Sequence, residues 1–118
     1  MRQSGKVEKG WGHEEIFVTN DLYCGKILDF NEGAQFSMHF HKIKDETWYV
    51  IEGEFELTII HTANATEKTY LLKQGDTWRN YPCMPHQLKC LKKGRIFEIS
   101  TADSINDNYR IRPGDSQK

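Results

Sequence analysis

The stretch "GAQFSMHFHKIKDETWYVIEGE", residues 33–54, decides how the chain is read. Its first half alternates with period two, so Gln35, Ser37, His39 and His41 fall on one face of a strand and Phe36, Met38 and Phe40 on the other. The polar turn "KIKD" follows. Glu46 then opens a second strand, "ETWYVIEG", which ends on Gly53. Histidines turned inward leave three large apolar groups facing outward. A wet patch of that kind is uncommon. Cover is therefore expected from the N-terminal arm or from a second copy of the chain, a homodimer.

Working outward, short runs rich in β-branched and aromatic residues recur at 22–30, 34–41, 46–53, 54–60, 68–72, 76–81, 86–91 and 95–101. Turn markers such as "NEG", "TANAT", "KQGD", "PCMP" and "KKG" separate them. No long segment carries helical apolar spacing. Many short strands in a small chain predict an all-β sandwich or barrel. One domain is expected over residues 1–118, with its core at about 6–112 and a mobile polar tail, "RPGDSQK".

Composition narrows the partners. There are 16 basic and 17 acidic residues, which gives no reason to expect nucleic acid or an anionic membrane. No apolar run is long enough to span a bilayer, and the first residues lack the apolar core of a secretory signal. A cytoplasmic protein is expected. Cys24, Cys83 and Cys90 are an odd set without compact spacing and read as reduced thiols, Cys83 as a small buried residue. "NAT" at 64–66 reads as a hairpin loop.

A metal ion needs donors converging from separate strands. His39 and His41 lie about 7 Å apart along one strand face, close enough to share one ion. Glu46 can fold back beside them after the turn, and Gly53 allows a tight turn into the next strand. A further donor must come from His13, His61 or His86. His86 follows the turn "YPCMP" at the start of a strand, well placed to face the pair.

These residues resemble a known family. "G-x5-H-x-H-x4-E-x6-G", from Gly33 through His39, His41 and Glu46 to Gly53, matches the first cupin motif at every position. In the second motif, G-x5-P-x-G-x2-H-x3-N, Gly75 and His86 are in register. Tyr81, Cys83 and Cys90 replace the proline, the later glycine and the asparagine. Over residues 6–112 the chain also resembles mannose-6-phosphate isomerase type II, the cupin domain of mannose-1-phosphate guanylyltransferase/isomerase, through "KVEKGWGHEEI", "ETWYVIEGE", "CMPHQLKC" and "IFEISTADSINDNYRI".

The resemblance implies a cupin jelly-roll β-barrel, the double-stranded β-helix. It also implies one divalent transition metal ion (Zn, Mn, Fe, Ni or Co) on His39, His41, Glu46 and His86. It points to carbohydrate metabolism: a small-molecule substrate, a sugar or sugar phosphate, undergoing aldose–ketose isomerisation. An Fe(II) cupin dioxygenase and a non-catalytic small-ligand-binding cupin are the alternatives. Isomerisation needs a base beside the metal. Arg79 and Tyr81, alternating in the strand that leads to His86, are the candidates. Trp48 and Val50 share the face of Glu46 and should wall the pocket, with Tyr49 facing away. Lys26 and Glu98 also lie on strands that could line the mouth, whereas Lys42 and Lys44 read as solvated turn residues.

Overall fold

A computed structural model describes residues 5–118. Nine strands form in chain order: β1 (Gly5–Lys9), β2 (Gly12–Thr19), β3 (Tyr23–Phe30), β4 (Met38–Phe40), β5 (Glu46–His61), β6 (Thr66–Lys73), β7 (Thr77–Asn80), β8 (His86–Thr101) and β9 (Tyr109–Arg112). The one helical element among the described residues is a 3-10 turn at Asp115–Gln117, so no helix there is long enough to cross a membrane.

The segments 46–53 and 54–60, expected as two strands, are one strand, and so are 86–91 and 95–101. β5 and β8 pair antiparallel along their whole length, from Glu46↔Ser100 to Ile59↔His86. Gly53 is a bend inside a strand, with φ +90, and Gly94 lies against it. A Cβ on Gly94 would stand 2.2 Å from the Glu52 carbonyl oxygen and 2.8 Å from the Gly53 Cα. The two glycines let the long hairpin fold over on itself where any side chain would hold the backbones apart.

The register of β5 shifts repeatedly between Val50 and Phe55. Glu46, Trp48 and Val50 face inward before the bend, and Phe55, Leu57 and Ile59 after it. The odd–even switch is what extra residues at a bulge produce.

Folding the hairpin creates two facing layers. One runs β1-β2-β3, then the second half of β8, the first half of β5, and β7. The other runs β9-β4, then the first half of β8, the second half of β5, and β6. This curled, nearly all-β sheet is the expected jelly-roll barrel. Its core includes Phe30, Phe36, Trp48, Phe55, Leu57, Ile59, Leu88 and Ile96.

Only Met38–Phe40 of the segment 34–41 is strand. The chain before it is irregular, tied by a lone bridge from Gln35 to Lys89, and the alternation breaks there. Phe36 sits inside, with ring centroids 5.0 Å from His39 and 5.9 Å from Trp48. Phe36 and Met38 are 8% and 0% exposed, and Phe40 stacks on Tyr109. The chain covers these apolar groups itself, so they do not require a second copy.

The tail expected to be mobile is seated. Gln35 N donates to Asp115 Oδ2 at 2.8 Å, Asp115 N to the Gln35 carbonyl at 2.9 Å, and Gly10 N to Ser116 Oγ at 3.0 Å. Asn64 does lie in the β5–β6 hairpin turn. All three cysteines are free, but Cys83 is exposed rather than buried. Its φ of 68 lies in the left-handed region, which explains why a glycine suits that motif position.

Candidate metal centre

The folded hairpin brings its two far ends together. Glu46 opens β5 and His86 opens β8, yet Glu46 Oε2 lies 3.4 Å from His86 Nε2, and Glu46 Oε1 lies 3.7 Å from His41 Nε2. His39, on β4, is the ladder partner of His86. One ring nitrogen from each of His39, His41 and His86 lies within 4.8 Å of the other two.

Each ring is held by its other nitrogen. His39 Nδ1 lies 2.8 Å from the Ser37 carbonyl, His41 Nδ1 2.6 Å from the Asp107 carbonyl, and His86 Nδ1 2.9 Å from the Met84 carbonyl. A carbonyl only accepts, so each Nδ1 carries the hydrogen and each Nε2 keeps a lone pair. Lone pairs turned toward one point is how metal-binding imidazoles are oriented. Asp107 sets the turn as well, since its carboxylate accepts from the backbone N–H groups of Lys42, Ile43 and Lys44.

His86 Nε2 is fully buried and, among the described residues, has no hydrogen-bond partner. Leaving a buried polar atom unpaired costs about 1–3 kcal/mol. A cation at the convergence point removes that cost. Burial lowers the pKa of His86 to about 4 and that of His39 well below its usual value, so both rings are neutral near pH 7 and ready to ligate. Burial, reinforced by Glu98, raises Glu46 to about 7. Asn80 Nδ2 donates to Glu46 Oε2 at 3.0 Å.

Lys44, expected in solvent, is 5% exposed and is a hub inside the barrel. Its Nζ lies 3.2 Å from Glu98, 3.3 Å from Glu46 and 3.5 Å from Asp103. Lys26 is also buried, 2.8 Å from Asp103 and 3.6 Å from Glu14. Trp48 Nε1 donates to Glu98 Oε1 at 2.9 Å. The two lysines hold Glu98 and Asp103 ionised against burial, each down to about 2, and Lys44 is itself raised by the surrounding carboxylates. The sequence offers Lys26 and Glu98 as strand residues that could line the mouth, and both do line the cavity; Lys44 was misplaced because a charged side chain in a turn normally marks the surface. Inward parity with Glu46 and Trp48 is a signal that exists only once strand pairing is known.

Cupin is the family whose domain model the chain matches, over residues 26–100. The chain belongs to the cupin family. No curated protein sequence matches it. Among solved structures this cupin is similar to oxalate decarboxylase from Bacillus subtilis, at 23% identity and TM-score 0.76, over 93% of this chain and 30% of that one. It is similar to KdgF from Halomonas sp., at 19% identity and TM-score 0.71, over 88% and 89% of the two chains. It also resembles CapF, solved with 3-isopropenyl-tropolone, at 15% identity and TM-score 0.77, over 93% and 34%. These likenesses establish the fold. This cupin spans under a third of the oxalate decarboxylase chain, a protein described with Mn(II) centres.

Of the four expected ligands, His39, His41 and His86 converge in this cupin and Glu46 stands against two of them, His41 and His86, while Arg79 and Tyr81 lie elsewhere. Arg79 and Tyr81 are exposed, because the alternate residues Trp78 and Asn80 are the ones of β7 that turn inward. Arg79 donates to Asp45 at 3.0 Å and lies 4.1 Å over the Tyr81 ring. Neither lines the cavity of about 490 Å³ into which His39 and His41 open. Its walls include Trp11, Leu28, Phe36 and Trp48, and Glu98 and Lys44 lie beside the histidines. Tyr49 is exposed and Trp48 and Val50 are buried, as their parity implied, but of the two expected to wall the pocket Trp48 lines the cavity and Val50 does not.

Proposed function

We propose that this cupin is a metal-dependent enzyme of small oxygenated substrates, and that its reaction is aldose–ketose isomerisation of a sugar or sugar phosphate. His39, His41, His86 and Glu46 would hold one divalent transition ion. The observation that carries the reading is the buried, unpartnered Nε2 of His86, which faces the Glu46 carboxylate at 3.4 Å. Mixed nitrogen and oxygen donors suit Zn, Mn, Fe, Ni or Co.

When bound, such an ion supplies Lewis acidity toward a carbonyl and its neighbouring hydroxyl. The chain's own groups do the rest. Lys44 holds the Glu46 and Glu98 carboxylates in place in the cavity wall. Glu98 is ionised beside it, takes the proton from C2 and returns it to C1, which regenerates the carboxylate. A carboxylate held at so low a pKa is a weak base, and the Lewis acidity that an ion on His39, His41, His86 and Glu46 would supply is what would make the C–H acidic enough for it. Trp11 and Trp48 offer apolar faces to the C–H side of a sugar and exclude water. Arg79 and Tyr81 take no part, since they point away from the cavity.

The test is solvent exchange. Metal-loaded protein, offered aldoses in deuterated water, is expected to place deuterium at C2, and His86→Ala or chelation should abolish it. Oxygen uptake by iron-loaded protein without exchange would identify a dioxygenase instead. Ligand-induced stabilisation without turnover would identify a binding protein.

A further inference from the structure

Charged side chains line the cavity at both buried and exposed positions, Asp103 being among the exposed ones. Four carboxylates line the cavity, those of Glu14, Glu46, Glu98 and Asp103. Lys26 and Lys44 are the buried cations set against them, and their ion pairs reach all four. Two ammonium groups against four carboxylates leave a surplus of two negative charges. One divalent ion at the histidines closes that gap, so the loaded interior is neutral.

Two further cations line the same cavity, Lys9 and Arg110, and both are exposed. Neither holds an ion-pair partner among the described residues. Their strand neighbours do: Lys6 pairs with Glu8, and Arg112 with Glu67. Their positions are set by the backbone. Val7, Lys9 and Trp11 alternate onto the cavity face at the end of β1. Arg110 is the ladder partner of His39 in the β9–β4 pair. Opposed residues of an antiparallel pair project to the same face with Cα atoms about 5 Å apart. The seated tail places Ser116 and Gln117 on the same rim.

A neutral interior with two unpaired cations at its opening attracts an anion and orients it with the charged end outward. We propose that the mouth is a subsite for an oxyanion, a phosphate or carboxylate at the end of the substrate distal to the metal, held by Lys9 and Arg110. The charge count rests on the metal-bound reading above. The rim pair itself does not, so the two claims fail separately.

The experiment follows tryptophan fluorescence, with Trp11 in the cavity wall, as inorganic phosphate or acetate is added. Wild-type protein and a Lys9→Gln/Arg110→Gln double variant are compared, each metal-loaded and chelator-treated. Both positions are exposed, so the variant should fold. Saturable phosphate binding is expected, weakened at least about tenfold in the double variant, as loss of charge-assisted contacts implies. Phosphate preferred over acetate points to a phosphate terminus, and equal affinity to a carboxylate. Binding that survives the double substitution, or that vanishes only on chelation, places the anion on the metal and overturns the proposal. So does an absence of binding in the wild type. If no metal loads but phosphate still binds through Lys9 and Arg110, the subsite stands and the metal reading falls.

Discussion

The two halves of the β5–β8 hairpin have different interiors. Before the bend, β5 turns Glu46, Trp48 and Val50 inward, and its partner half of β8 adds Ile96, Glu98 and Ser100. After the bend, β5 contributes Phe55, Leu57 and Ile59, faced by His86, Leu88 and Cys90. The first half carries buried charge tied to Lys44. The second is oil, with one imidazole at its edge. Charge survives inside only where each group finds a counter-charge or a donor. The lesson is that the site is made by the fold between the halves: Glu46 belongs to one and His86 to the other, and only the Gly53–Gly94 bend puts them in reach.

The strongest way to break this comparison is at the bend. Gly94→Val should cost about 4 kcal/mol or more, because its side chain would displace the Glu52 and Gly53 backbone. Little folded protein should remain in a circular-dichroism melt. A variant melting within about 5 °C of the wild type would show that the bend can open freely.

The charged half is tested next. Lys44→Met leaves Glu98 and Glu46 without their shared cation and should cost about 3 kcal/mol in urea unfolding. Adding Glu98→Leu should restore part of that loss, giving a coupling of about 2 kcal/mol. Simple additivity would mean that the cluster is solvated and the halves differ less than described.

Proton linkage sharpens the contrast with a smaller effect. Glu46, raised to about 7, is protonated below neutrality and must lose that proton to ligate. His39 and His86, held low by burial, are already neutral. Metal affinity should therefore weaken as pH falls from 6.5 to 5, by no more than about two protons per ion in a titration series. A dependence near four protons would describe Glu46 together with three ordinary exposed imidazoles. The smallest effect belongs to the outer face. Arg79→Ala and Tyr81→Phe should leave metal loading and melting temperature unchanged, since an exposed ion pair contributes little.

Part of the site was legible because imidazoles and a carboxylate at fixed intervals along alternating strands are what a metal demands: His39, His41 and Glu46 stand out by residue type and interval, while His86 was one of three open histidines until the second cupin motif singled it out. The long strands were hidden by their own glycines, since "EG" and "KKG" look like turns until a facing strand is known. Phe36 was misplaced by assuming regular alternation through an irregular segment. Lys26 and Glu98 could be placed at the mouth from their strands, but their burial as an ion-paired cluster with Lys44 was unreadable for a deeper reason. A charged residue is buried only by virtue of its partners, and those partners lie tens of residues away in sequence. The tail's seat depends likewise on Gln35 and Gly10, contacts that no local pattern encodes.

The most direct test of the central claim is a crystal structure of the protein loaded with Mn²⁺, with the ion located by its anomalous scattering. One ion per chain is expected, bound by ring nitrogens of His39, His41 and His86 and by the Glu46 carboxylate. An ion held elsewhere, or an empty centre with Glu46 still against Lys44, would contradict the account.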